Sequence, residues 1–109
     1  MSQVADVNAQ DFETQVLQDS GTVVVDFWAE WCPPCRALSP VVDKVAEQLE
    51  GQAKFVKCDV DANTELSEQY GVMQIPNLVF FKNGQVVDQS VGYLSEAQLK
   101  QKVEALTNS

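Results

Sequence analysis

One segment limits the architecture more than any other: Val23-Val24-Val25-Asp26-Phe27-Trp28, an apolar run broken only at Asp26. A strand with one wet face alternates apolar and polar residues. A run that is apolar at successive positions is instead the pattern of a central strand buried on both faces. A carboxylate inside such a strand is costly. Burial disfavours its charged form and raises its pKa, so Asp26 is expected to be a poised acid or base. The competing reading from the residues alone is an idle carboxylate at a solvated strand end.

Directly after this run comes Trp31-Cys32-Pro33-Pro34-Cys35, followed by apolar residues at helical spacing, Leu38, Val41, Val42, Val45, Ala46 and Leu49, with Gly51 closing the run. Two cysteines three apart on a first helical turn bring their sulfurs close enough to form a disulfide. The strand-to-helix junction is expected to leave Cys32 reachable from outside. Unpaired N–H groups and the positive end of the helix dipole favour a thiolate there, below the free-cysteine pKa of about 8.5. Cys35, one turn in, is placed to attack a mixed disulfide on Cys32. Pro33 and Pro34 suit early helix positions, where a missing N–H has no intrahelical partner to lose. Pro40 lies inside the helix and removes one hydrogen bond to the Arg36 carbonyl, so a kink is expected. A zinc half-site is the rival reading, but the chain has three cysteines and no histidine against the usual four zinc ligands.

The remaining chain supplies further elements. Val4–Val7 reads as a weak edge strand, and Asn8 with Asp11 as a cap for a helix carrying Phe12, Val16 and Leu17, stopped by Asp19-Ser20-Gly21. Residues 54–60 read as a second parallel strand. Lys57 on it reads from spacing alone as a solvated lysine, and Cys58 as a small buried hydrophobe. Asp59 and Asp61 read as a solvated turn. Leu66, Tyr70 and Gly71 mark a short helix, and Asn83-Gly84 a hairpin between residues 78–82 and 85–91. Ser95 with Gln98 forms a capping box for a last helix bearing Leu99, Val103 and Leu106.

The net charge of −9, from 7 basic and 16 acidic residues, argues against nucleic acid and anionic lipid as partners. No stretch approaches the roughly 20 apolar residues of a membrane span. The first ten residues hold neither a basic nor an apolar signal segment, so a cytoplasmic protein is expected. An unpaired third cysteine also suits a reducing compartment.

The segment from Val25 to Cys35 resembles the signature of the thioredoxin family, and with Ile75-Pro76, the Asn83-Gly84 hairpin and Gly92 the resemblance spans nearly the whole chain. It departs at Pro33, where glycine is usual, and at Asn77, where threonine is usual. The resemblance implies a single thioredoxin domain over residues 1–109, of α/β class, with a mixed sheet flanked by helices on both faces. It implies a general protein disulfide reductase that exchanges electrons through Cys32 and Cys35. Asp26 would lie behind the disulfide and serve proton transfer with Cys35, with Lys57 an interior lysine tuning it. Ile75–Pro76 would be cis, the Ile75 backbone pairing with substrate. Trp31, Pro34, Ile75, Pro76 and Gly92 would form the docking surface. No bound cofactor is implied. The implied partners are disulfide-containing proteins and a thioredoxin reductase, met by a monomer. Two other functions fit the same residues: a thiol oxidase or isomerase, and a non-catalytic binding subunit built on the fold.

Overall fold

A computed structural model describes residues 4–108. Strand β2 (Thr22–Trp28) lies at the centre of a five-stranded sheet ordered β1-β3-β2-β4-β5. Its neighbours are β3 (Ala53–Asp59), which is parallel, and β4 (Asn77–Lys82), which is antiparallel; β1 (Ala5–Asp6) and β5 (Gln85–Val91) form the edges. The sheet is therefore mixed.

The two-residue period of a strand sorts its side chains between the faces. Val24 of β2, Phe55 of β3, and Leu78 and Phe80 of β4 pack with Leu38, Val42 and Val45 of α1 (Pro33–Gln48) and with Leu99 and Val103 of α3 (Glu96–Thr107). Val23, Val25 and Phe27 pack on the opposite face with Val56, Val79 and Phe81, under Phe12, Val16 and Leu66. Leu66 belongs to the short helix α2 (Thr64–Gln69). Both faces are covered, as the apolar run requires. The same period sends Asp26, two residues after Val24, toward α1.

The first helical segment departs from the sequence reading. Asn8 Oδ1 accepts from the N–H groups of Gln10 and Asp11, and Asp11 Oδ1 accepts from the Asn8 N–H, so the pair caps a turn. The helix itself, Glu13–Leu17, starts one turn later without a side-chain cap and is wound as a π-helix, with Gln18 N–H donating to the Glu13 carbonyl. The expected edge strand is also shorter, two residues instead of four. Helix α1, by contrast, continues through Pro40 to Gln48. The β4–β5 turn holds Asn83 and Gly84 at φ 54° and 77°, the left-handed pair that a tight hairpin needs. A Cβ at Gly84 would also run into the Leu17 carbonyl oxygen.

Candidate active site

Cys32 is the N-cap of α1, in extended conformation, with Pro33 and Pro34 in the first helical turn. The prolines fix φ near the helical value and remove N–H groups that no carbonyl would have accepted. The Cys35 N–H therefore points back, donating to Cys32 Sγ at 3.3 Å, while the Arg36 N–H closes the turn on the Cys32 carbonyl. Cys32 and Cys35 form a disulfide, with 5.3 Å between their Cα atoms.

Cys32 is not left open in this state. It is 3 % exposed and Cys35 2 %. The physical reason is cover from three places in the chain: Trp28 at the end of β2, Val60 just after β3 and Ile75 in the loop before β4 pack against the cluster of Ala29 and the two cysteines. The Ile75 carbonyl oxygen lies 3.8 Å from Cys32 Sγ. The Ile75–Pro76 bond is cis, as the resemblance implied. The buried Pro76 accepts from the Gly92 N–H at 2.8 Å, tying the end of β5 to the same loop. Gly92 has φ 97°, and a Cβ there would meet open space. Around this floor Trp31 and Met73 are uncovered, at 67 % and 93 % exposure. Pro34, three residues after Trp31, is exposed as well.

Behind the disulfide lies a cavity of about 290 Å³ lined by Asp26, Trp28, Cys35, Arg36, Ser39, Pro40, Asp43 and Lys57. Asp26 is 4 % exposed and stands in register with Lys57 on β3. Lys57 is thus an interior-facing lysine and not the freely solvated one that spacing alone suggested. Its Nζ sits 5.2 Å from the centre of the Trp28 ring, within reach of a cation–π contact. Burial pushes the Asp26 pKa up to about 7; the Lys57 charge opposes the rise and Asp43 adds to it. Asp26 Oδ1 and Trp28 Nε1 are buried with no hydrogen-bond partner among the described residues.

Sequence reasoning missed two residues here. Asp61 is more than a solvated turn residue: its Oδ2 accepts from the Trp31 indole N–H at 2.7 Å, and its own N–H donates to Asp59 Oδ1. Nothing in the spacing links Trp31 to Asp61. Asp43 was legible in principle, because Arg36, Ser39 and Asp43 recur at three- and four-residue steps and so share a face of α1. Among the described residues no group of three or more His, Cys, Asp or Glu is arranged to hold a metal ion. The redox couple here is the cysteine pair itself, which stores two electrons. No helix among the described residues is long and apolar enough to cross a membrane.

Comparison with known proteins bears directly on this arrangement. The family model described as Thioredoxin matches residues 3–105. The chain is 46% identical over 104 residues to Thioredoxin 1 of Nostoc sp., covering 95% of this chain and 97% of that one. It is 44% identical over 99 residues to thioredoxin of Haemophilus influenzae, covering 91% and 92%. A five-stranded mixed sheet, a cysteine pair at the start of α1 and a family match over nearly its full length lead to one conclusion: the chain belongs to the thioredoxin family.

Proposed function

We propose that Cys32 is the attacking sulfur and Cys35 the resolving one in a protein disulfide reductase. The Cys32 thiolate attacks one sulfur of a substrate disulfide, forming a mixed disulfide and expelling the other substrate sulfur as a thiolate. The Cys35 thiolate then attacks Cys32 Sγ, and the second substrate sulfur leaves. Two electrons and two protons pass from the dithiol to the substrate, and the Cys32–Cys35 disulfide remains. The observation that carries this reading is the disulfide at the head of α1, with the Cys35 N–H directed at Cys32 Sγ. A thiolate on Cys32 would keep that donor.

Asp26 takes the role of proton acceptor for Cys35. Its carboxyl lines the cavity that Cys35 also lines, and a pKa of about 7 lets it exchange a proton at neutral pH. Lys57 holds that pKa below what burial alone would set. Trp31, Pro34, Ile75, Pro76 and Gly92 receive the substrate chain, with the Ile75 carbonyl free to accept from a substrate N–H. Substrates are disulfide-containing proteins. A thioredoxin reductase restoring the dithiol, a cytoplasmic location and a monomeric single domain over residues 1–109 complete the reading; the named relatives and the unpaired Cys58 support it.

The deciding experiment is mixed-disulfide trapping. Cys35→Ser should hold a disulfide-bearing protein covalently on Cys32, visible by non-reducing electrophoresis and released by dithiothreitol, whereas Cys32→Ser should trap nothing and reduce nothing. Trapping by the Cys32 variant would reverse the assignment.

A further inference from the structure

Charge is distributed unevenly around the disulfide. Two cations, Arg36 and Lys57, line the cavity on the Asp26 side. The loops on the other side carry none. Between Cys58 and Phe81 the sequence holds Asp59, Asp61, Glu65 and Glu68 and no Lys or Arg, whereas Asp88 and Glu96 further on are taken up in ion pairs with Lys102 and Lys44.

Within that anionic half, one aromatic ring is both uncovered and fixed. Trp31 is 67 % exposed, yet its indole N–H is held by Asp61 Oδ2 at 2.7 Å. Asp61 is held in turn, its N–H on Asp59 Oδ1, and the adjoining Val60 N–H on the Trp28 carbonyl at 2.9 Å. The face of an indole is the negative part of its quadrupole, and here a carboxylate is fixed at the ring's edge. Both groups attract a cation. Cys32 is the next residue.

We propose that Trp31 and Asp61 form a seat for a Lys or Arg side chain of the substrate polypeptide, so that this protein prefers disulfides with cationic neighbours. The inference rests on the assignment of Cys32 as the attacking sulfur. The substrate cation stacks on the exposed indole face with its charge beside Asp61, while apolar neighbours meet Met73 and Tyr93, which are 93 % and 55 % exposed. Charge complementarity selects this occupant. A second copy of the chain would bring its own net charge of −9 against the same carboxylates, and nucleic acid would be repelled outright.

The test uses the reduced full-length protein and three synthetic peptides that share one disulfide and differ only in flanking residues, Lys, Gln or Glu. Single-turnover oxidation is followed by tryptophan fluorescence. Each rate is divided by the rate of the same peptide with 2-mercaptoethanol, which removes the effect of flanking charge on the disulfide's own reactivity. After this correction the Lys peptide should react several-fold faster than the Gln peptide, and the Glu peptide slower. The spread should shrink at about 0.5 M salt, where the Debye length is only a few ångströms. Asp61→Asn keeps an acceptor for the Trp31 N–H and removes the charge, and should lower the Lys-to-Gln ratio about threefold, the scale of one exposed ion pair. Equal corrected rates for the three peptides would overturn the proposal, as would a preference unmoved by salt or by Asp61→Asn. A reduced protein that leaves even the Gln peptide intact would overturn the disulfide-exchange assignment, and this inference with it.

Discussion

Asp26 and Cys58 stand on adjacent strands, on opposite faces of the sheet, and burial acts on both in the same direction. It pushes the Asp26 carboxyl up to about 7 and the Cys58 thiol up to about 12, with Asp59 adding to the latter. The first value falls inside the working pH range and suits proton exchange; the second leaves Cys58 an inert thiol. Iodoacetamide at pH 8 should therefore label only the Cys32–Cys35 pair of the reduced, folded protein and reach Cys58 after denaturation. Labelling of Cys58 at a similar rate in the folded protein, seen by peptide mass spectrometry, would contradict this. The departure at Pro33 admits a bounded prediction. Pro33→Gly adds one N–H to several at the helix start, an effect near 1 kcal/mol, and 1.4 kcal/mol corresponds to about 30 mV in a two-electron couple. The potential, measured against a glutathione buffer, should move by no more than roughly that amount. A shift several times larger would show that this turn sets the potential through its geometry. Burial of Asp26 and Cys58 was legible because an apolar strand declares its surroundings. The Trp31–Asp61 bond was not, since it joins two loops 30 residues apart and neither partner belongs to a periodic pattern.

Elements differ in how much of their form is local. The capping box of α3 was legible because both halves lie within one turn: Ser95 Oγ accepts from the Gln98 N–H at 3.2 Å, and Gln98 Oε1 accepts from the Ser95 N–H at 2.9 Å. That cap fixes where α3 begins, and hence where Leu99 and Val103 meet the sheet. Ser95→Ala should cost about 1 kcal/mol, seen as a lower denaturant midpoint with an unchanged slope. No change in midpoint would mean that packing alone sets the start of this helix. The Asn8–Asp11 signal is of the same local kind and does fold into reciprocal side-chain bonds. What it does not contain is the winding of the helix that follows. Phe12 meets Phe81 and Tyr70, with ring centroids 5.8 and 5.3 Å away, and those partners lie some sixty residues on. The cover that Ile75 gives Cys32 is non-local in the same way. Spacing could place Cys32 at a helix start but could not show which loop closes over it, and the cis Ile75–Pro76 bond entered only through family resemblance.

At the scale of the whole molecule, the covered sheet was legible because β2 had no wet face to offer, and the same burial governs stability against pH. The ordinary pKa of an aspartate, 3.8, applies to the unfolded chain, and about 7 to Asp26 in the fold. Between those values the folded state holds a proton that the unfolded chain has released. Stability therefore falls as pH rises, by up to about 1.4 kcal/mol per pH unit. The contribution is fully present below about pH 4 and lost above about pH 7, some 4 kcal/mol across the window at most. Asp88 works in the other direction. Its bond to Lys102 holds its carboxyl below the usual range, so that stabilisation is lost only as pH falls below about 4, and its exposure keeps it small. Repulsion within a chain of net charge −9 also weakens the fold as pH rises, but salt screens that repulsion and leaves a buried carboxyl largely untouched. Denaturant unfolding of the oxidised protein at high salt, from pH 5 to pH 8, should thus show wild type losing stability along the series while Asp26→Asn stays nearly level. The gap between the two proteins should be narrowest at pH 5, already about 1.5 kcal/mol, and widest at pH 8, with the variant the more stable throughout. Parallel curves would mean that Asp26 carries an ordinary pKa in the fold, and its role as the proton acceptor for Cys35 would go with it.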